Sequence, residues 1–268
     1  MEKTEINELM LEVDATILNT WEQLAEYANR YTVPIFQEPS PNSNPVFIGT
    51  GVLIKSDVAY MIVTADHVVK ELNPQLSLII GIKGTPHRFD FTPVNFKSYT
   101  EEDVGIIYVH EVDARKIESL GNRIFLSKNK WLKITQEELE KINDWVLVGG
   151  YPKFLCNEKS THSEMGFFCY LGTAAGTGAA PSANCIKLND LRIWVPKNGN
   201  IELETKYLVE IPALSGLSGG GVWLLNFRKD RLNWVPDKIV LIGIYHGRYL
   251  DVNPDNDIFA SATSLFFL

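Results

Sequence analysis

Apolar residues recur at Ile6, Leu9, Met10, Val13, Ile17, Trp21 and Leu24, the three- and four-residue spacing of a helix that buries one face. Glu2, Glu5 and Glu8 lie on its first turns, where carboxylates oppose the positive end of the helix dipole. One amphipathic helix over residues 4 to 30 is expected. Its apolar stripe either packs on the body of the protein or docks a partner or a second copy. Tyr31 to Pro45 carries four prolines and reads as an extended linker.

From Val46 the pattern changes to short apolar runs between turn residues: Val46 to Ile48, Gly51 to Ile54, Tyr60 to Val63, Leu76 to Ile82 and Val104 to Val109. Runs of this length, broken by Gly, Pro, Asn and Asp, point to a sandwich or barrel. Thr135 with Glu138 three residues later has the form of a capping box, and Leu139, Ile142 and Trp145 follow at near-helical spacing. A connecting helix is expected at 135 to 144.

Strands resume at Val146 to Val148 and continue at Phe167 to Tyr170, Arg192 to Val195, Tyr207 to Ile211, Gly221 to Leu225, Ile239 to Tyr245 and Ile258 to Ala262. The chain thus divides into a helix (1–31), a β-rich half (32–134), a short helix (135–144) and a second β-rich half (145–268). Within the last, Leu171 to Ala183 is rich in Gly, Ala, Ser and Thr and reads as a loop. It is no phosphate loop, because no Lys follows a Gly and no strand-then-helix pattern surrounds it.

Composition adds exclusions. A net charge of −8 without a basic cluster argues against a nucleic-acid partner, which phosphate recognition would require. No segment approaches the roughly 18 apolar residues of a membrane span, and the first residues lack a signal-peptide pattern. Cys156, Cys169 and Cys185 match no short zinc-ligand pair and leave one thiol over under any disulfide pairing, as expected of a reducing, cytoplasmic setting.

Three segments carry candidate chemistry. Ser215-Gly216-Leu217-Ser218-Gly219-Gly220-Gly221 precedes an apolar strand. A nucleophilic Ser needs a tight turn whose N–H groups face a developing oxyanion, and glycine permits it. The same heptapeptide also reads as a glycine-rich hairpin turn. His67 follows the apolar run Met61 to Ala65, so it can project from a rigid edge, or be a satisfied structural histidine. His87, His110, His162 and His246 have no comparable setting. Asp103 stands at the mouth of the run Val104 to Ile107, where a donor such as an imidazole N–H would offset its burial. Alone it is also an ordinary turn residue.

Taken together, Thr64-Ala65-Asp66-His67, Asp103-Val104-Gly105-Ile106-Ile107 and Gly216-Leu217-Ser218-Gly219-Gly220 resemble the trypsin-like serine peptidases, particularly the intracellular and heat-shock proteases of bacteria. The order His, Asp, Ser is that of this fold and not of subtilisins or α/β-hydrolases. The resemblance covers residues 46 to 265. It implies a mainly β fold of two six-stranded antiparallel β-barrels of the chymotrypsin type, with the two helices added.

It also implies Ser218 as nucleophile, His67 as general base, Asp103 as its orienting acid and the N–H groups of Gly216 and Ser218 as oxyanion hole, with a protein or peptide substrate and no metal or organic cofactor. Gly149-Gly150-Tyr151-Pro152 looks like the start of the second barrel. Tyr245, His246 and Gly247 look like the strand that lines the substrate, and Pro212, Ala213 and Ser215 fall near the pocket.

No Asp occupies the pocket base, so a Lys or Arg preference is not expected. His246 with Arg248 would suit an acidic residue, but His246 stands one position later than in relatives with a histidine on this strand, so an apolar or small residue fits equally. Leu217 replaces the Asp that precedes the nucleophile in zymogen-activated relatives, which leaves control to the N-terminal helix, to the loop 171 to 183 or to a regulatory partner. Analogy alone extends this to stress response or phage defence. A pseudoprotease that binds peptide on the same fold is the competing reading.

Overall fold

The computed structural model describes residues 17, 19–38, 43–73, 75–81, 88–93, 95–120, 123–155, 166–174, 190–195, 200–201, 208–209, 215–250 and 258–265. The fold is mainly β, with two antiparallel units.

The first unit contains β1 (Thr32–Gln37), β2 (Val46–Lys55), β3 (Tyr60–Ala65), β4 (Leu78–Gly81), β5 (Arg88–Phe91), β6 (Asn95–Tyr99) and β7 (Val104–Val109). They form one seven-stranded sheet in the order β5-β4-β1-β2-β3-β7-β6. The second contains β8 (Trp145–Gly150), β9 (Phe168–Ala174), β10 (Asp190–Val195), β13 (Gly221–Leu224), β14 (Val240–Leu250) and β15 (Ile258–Ser264). These close into a six-stranded barrel, and a separate pair joins β11 (Asn200–Ile201) to β12 (Leu208–Val209).

Two six-stranded barrels were expected; only the C-terminal unit is closed, and the N-terminal one is a seven-stranded sheet among the described residues. Three of its strands were not among the expected runs: β1 comes from the segment read as a linker, and β5 and β6 lie between Leu76 to Ile82 and Val104 to Val109, while Val46 to Ile48 and Gly51 to Ile54 belong to one strand, β2. All of Thr32–Gln37 is buried as β1, between β2 and β4. Pro34 pairs with Thr50 of β2, whereas among the described residues pairing with β4 begins at Ile35, so no ladder donor is demanded of the proline by those pairs. Leu171 to Ala174, expected to open a loop, instead continue β9: Leu171, Gly172 and Thr173 pair with Leu147, Val146 and Trp145, and Ala174 with Ile193 of β10. Backbone pairing needs no large side chain there; 175–183 lie outside the described residues.

Among the described residues four α-helices accompany the strands: α1 (Trp21–Arg30), α2 (Asp66–Glu71), α3 (Glu111–Leu120) and α4 (Gln136–Ile142). Of the expected N-terminal helix, Trp21–Arg30 is helical, and residues 1–16 lie outside the described residues. Its stripe packs on the body: Ile17, Trp21, Leu24 and Ala28 share one core with Val52, Ile54 and Val63 of the sheet and Leu147, Trp223 and Leu241 of the barrel. The Thr135–Glu138 capping box starts α4. Helix α3 was not anticipated, although buried Ala114 and Ile117 stand three apart with Glu111 and Asp113 in the first turn. Among the described residues no helix is long and apolar enough to cross a membrane.

Candidate active site

Strands β3 and β7 are antiparallel and pair Ala65 with Val104, so the residues just after β3 and just before β7 meet at one end of the ladder. Asp66 N–H donates to the Asp103 carbonyl at 3.1 Å, and α2 then turns His67 over Asp103. Asp103 adopts a left-handed φ of 53°, which Asp tolerates better than most residues. Its Oδ1 accepts the His67 backbone N–H at 3.1 Å, and both carboxylate oxygens lie 3.1 Å from His67 Nδ1. An ionised carboxylate only accepts, so the neutral ring carries its proton on Nδ1 and keeps Nε2 as the basic nitrogen. The Asp103 side chain is 15% exposed and that of His67 44%, so a sheltered acid orients an accessible imidazole.

Ser218 reaches the same place from the barrel. Gly216 and Gly219, at φ of 91° and 89°, bend the turn from Ser215 into β13. Gly219 N–H donates to the Tyr245 carbonyl at 2.7 Å, Gly220 N–H to that of Leu217 at 2.8 Å, and Tyr245 N–H to that of Gly220 at 2.8 Å. On the sheet side, Thr50 N–H donates to the Ser218 carbonyl at 3.0 Å.

The closeness is steric as well. A Cβ on Gly219 would fall on the Thr50 carbonyl and the Thr64 hydroxyl, and Thr64 stands three residues before His67. A Cβ on Gly49 would meet the Val68 side chain at 2.8 Å and the Ser218 carbonyl at 3.3 Å. The serine turn therefore sits beside the start of α2.

Among the described residues, Ser218 Oγ makes no hydrogen bond, so the serine-to-imidazole link is not closed in this structure. Such links are often long without substrate and tighten in the complex. The N–H groups of Gly216 and Ser218 likewise have no described acceptor, and form two available donors. Thr50 Oγ1 donates to the Gly216 carbonyl at 3.0 Å, and Lys153 N–H to that of Ser215 at 2.6 Å, which fixes the turn.

The remaining candidates separate. Tyr245 is buried and clamps the serine turn through its backbone. Strand β14 has an irregularity here: Tyr245 pairs with Ala262 and Gly247 with Ser261, which leaves His246 as the additional residue of a bulge. Its side chain is 3% exposed, with Nδ1 3.9 Å from Asp103 Oδ2, and so faces the acid. A Cβ on Gly247 would meet nothing within 4 Å, so this residue borders open space. Ser215 is exposed at the turn; Pro212 and Ala213 lie outside the described residues.

Sequence reasoning passed over Thr50, gave Thr64 no role beyond its place in the motif of His67, and placed His246 against substrate; the two threonine hydroxyls tie β2 to the serine turn and β3 to β2. A threonine in a strand carries no local sign of its hydroxyl's partner, and the bulge that aims His246 is set by pairing with β15. Among the described residues no group of three or more His, Cys, Asp or Glu is placed to hold a metal ion. The arrangement supplies an oriented base, a hydroxyl on a rigid turn and two backbone donors. No family model matches this chain, and no curated protein matches its sequence.

Proposed function

We propose that this chain is a serine endopeptidase, with Ser218 as nucleophile, His67 as general base and Asp103 as the carboxylate that orients it, on a two-unit scaffold of the chymotrypsin type. The observation that carries this reading is the Asp103 carboxylate, which grips His67 through both ring and backbone beside the turn that bears Ser218. Ser218 Oγ attacks the scissile carbonyl carbon as its proton passes to His67 Nε2, and that proton then goes to the leaving amine nitrogen. Water repeats the sequence on the acyl-enzyme and regenerates the serine.

The Gly216 and Ser218 N–H groups receive the negative oxygen; in such sites each donor contributes about 3 to 4 kcal/mol to the barrier reduction. Gly247, bordering open space, fits a strand along which a protein or peptide substrate lies. Unpaired, buried Cys169 fits a reducing compartment such as the cytoplasm; burial pushes its thiol well above the usual range.

The test is an active-site-directed fluorophosphonate. It should label the wild type at Ser218 and fail to label Ser218→Ala. A second reading, a pseudoprotease that holds a peptide without cutting it, is favoured by one observation, the unclosed link between Ser218 and His67. Unlabelled, folded wild type would select it.

A further inference from the structure

The carboxylate of Asp103 faces two imidazoles. His67 takes Oδ1 through its backbone N–H and approaches both oxygens with Nδ1, while His246 Nδ1 lies 3.9 Å from Oδ2. With His246 3% exposed, Asp103 15% and His67 44%, the acid stands between an outer ring and an inner one. A ring nitrogen sheltered beside an ionised carboxylate faces it as an N–H, since a lone pair aimed at it would be repelled. At 3.9 Å the contact is electrostatic rather than a hydrogen bond, and it acts in a region where little water screens it.

The bulge explains how a strand residue arrives there. Strand β14 is buried on both faces from Leu241 to His246, and His246, as the additional residue between the Tyr245–Ala262 and Gly247–Ser261 pairs, stands outside the regular alternation of the ladder. The same short stretch fixes both halves of the site: the Tyr245 backbone clamps Gly219 and Gly220, and the next residue faces Asp103. From the neighbouring strand β15, Thr263 Oγ1 donates to the carbonyl of Glu102, which holds the residue before the acid against the barrel.

We propose that His246 is a positioning residue for the Asp103–His67 pair: its Nδ1–H, directed at Oδ2, keeps the carboxylate turned so that both oxygens face His67 Nδ1. This rests on the serine peptidase reading only for its effect on rate.

The test uses the full chain with ¹⁵N-labelled histidine, as wild type, His246→Leu and His246→Asn, the last keeping a short N–H donor. One readout is the downfield Nδ1–H resonance of His67, assigned by its loss in His67→Gln; the other is the rate of fluorophosphonate labelling. His246→Leu should shift or broaden the resonance and slow labelling about 10- to 100-fold. His246→Asn should restore most of both. If the Leu variant does not fold, His246→Phe, which keeps a planar ring, replaces it.

An unchanged His67 resonance and labelling rate in the apolar variant would overturn the proposal, as would absence of that resonance from the wild type. Failure of the peptidase reading looks different: wild type would resist labelling while the resonance still responds to residue 246, which supports the positioning role alone.

Discussion

Thr50 Oγ1 donates a 3.0 Å hydrogen bond to the carbonyl of Gly216, so a strand of the open sheet holds the peptide plane next to a proposed oxyanion donor of the barrel. The same oxygen accepts the N–H of Tyr151 at 2.9 Å. Thr50→Val keeps the shape but leaves that buried N–H unpaired, at a cost of about 1 to 3 kcal/mol. Turnover should fall more than KM rises, because the turn loses its hold on Gly216. Urea unfolding together with steady-state kinetics checks both; an unaltered kcat would separate Thr50 from the site.

Asp103→Asn tests the orienting role with little backbone penalty, since Asn tolerates a φ of 53° about as well as Asp. The amide presents an NH₂ towards Nδ1 and favours the tautomer with the proton on Nε2, which cannot accept from Ser218. A fall in kcat of about 10⁴ is expected, with only a small change in melting temperature. A loss below tenfold would remove Asp103 from the chemistry.

Gly219 and Gly247 should respond oppositely to alanine. At Gly219 a methyl group would strike Thr50 and Thr64 in a left-handed conformation, and Gly219→Ala should cost about 3 kcal/mol or more. At Gly247 it would meet open space, and Gly247→Ala should lie within about 0.5 kcal/mol of wild type. Chemical denaturation of the pair reads the contrast; equal stabilities would refute the packing described for the serine turn.

The acid limb of stability should depend on Asp66, which is 2% exposed and meets Lys70 Nζ at 2.5 Å through Oδ2. Burial pushes its carboxyl up, but Lys70, by hydrogen bond and charge, is among the groups that outweigh this and hold it below the usual range. A carboxyl depressed in the folded state contributes stability that is complete above its unfolded pKa and is lost as pH falls through the lower folded value. Below about pH 4 the wild type should therefore lose stability more steeply than Asp66→Asn. Parallel curves in pH-dependent unfolding would show that the ion pair contributes nothing.

Asn29 in α1 is tied to the start of the barrel through buried Arg123: Nη1 donates to Asn29 Oδ1 at 2.8 Å, and Nη2 to the Tyr151 hydroxyl at 2.6 Å. Tyr151 also donates to Asn29 Oδ1 at 2.5 Å, and burial keeps its phenol neutral. Arg123→Met leaves Asn29 and Tyr151 bonded to each other, whereas Asn29→Ala removes the acceptor of the buried Tyr151 hydroxyl and one of the two acceptors of Arg123 Nη1, which keeps the residue 29 carbonyl. Asn29→Ala should be the more destabilising by about 1 to 3 kcal/mol in urea melts. The reverse order would show that the guanidinium, not the amide, organises the contact between helix and site.

Local chemistry made several features legible from sequence. Thr135 and Glu138 announce their helix, because a capping box is satisfied within four residues. The stripe Ile17, Trp21 and Leu24 and the run Val104–Val109 are legible because burial imposes their periodicity or continuous apolarity. His67, Asp103 and Ser218 stand out as candidates by order and context, since a histidine after a strand, an aspartate before one and a serine among glycines each leave a short imprint.

Tertiary structure decided what depends on pairing between distant segments. A proline-bearing stretch became the interior strand β1 because β2 and β4 flank it, with Pro34 paired to β2 and, among the described residues, not to β4, and that strand belongs to a seven-stranded sheet. Leu171 to Ala174 joined β9 because β8 and β10 offered ladder partners. The bulge that turns His246 towards Asp103, and the threonines that clamp the serine turn, arise only once β14 meets β15 and the barrel meets β2. Residue types limit which interactions a segment can make, whereas the register between remote strands selects which of them are made.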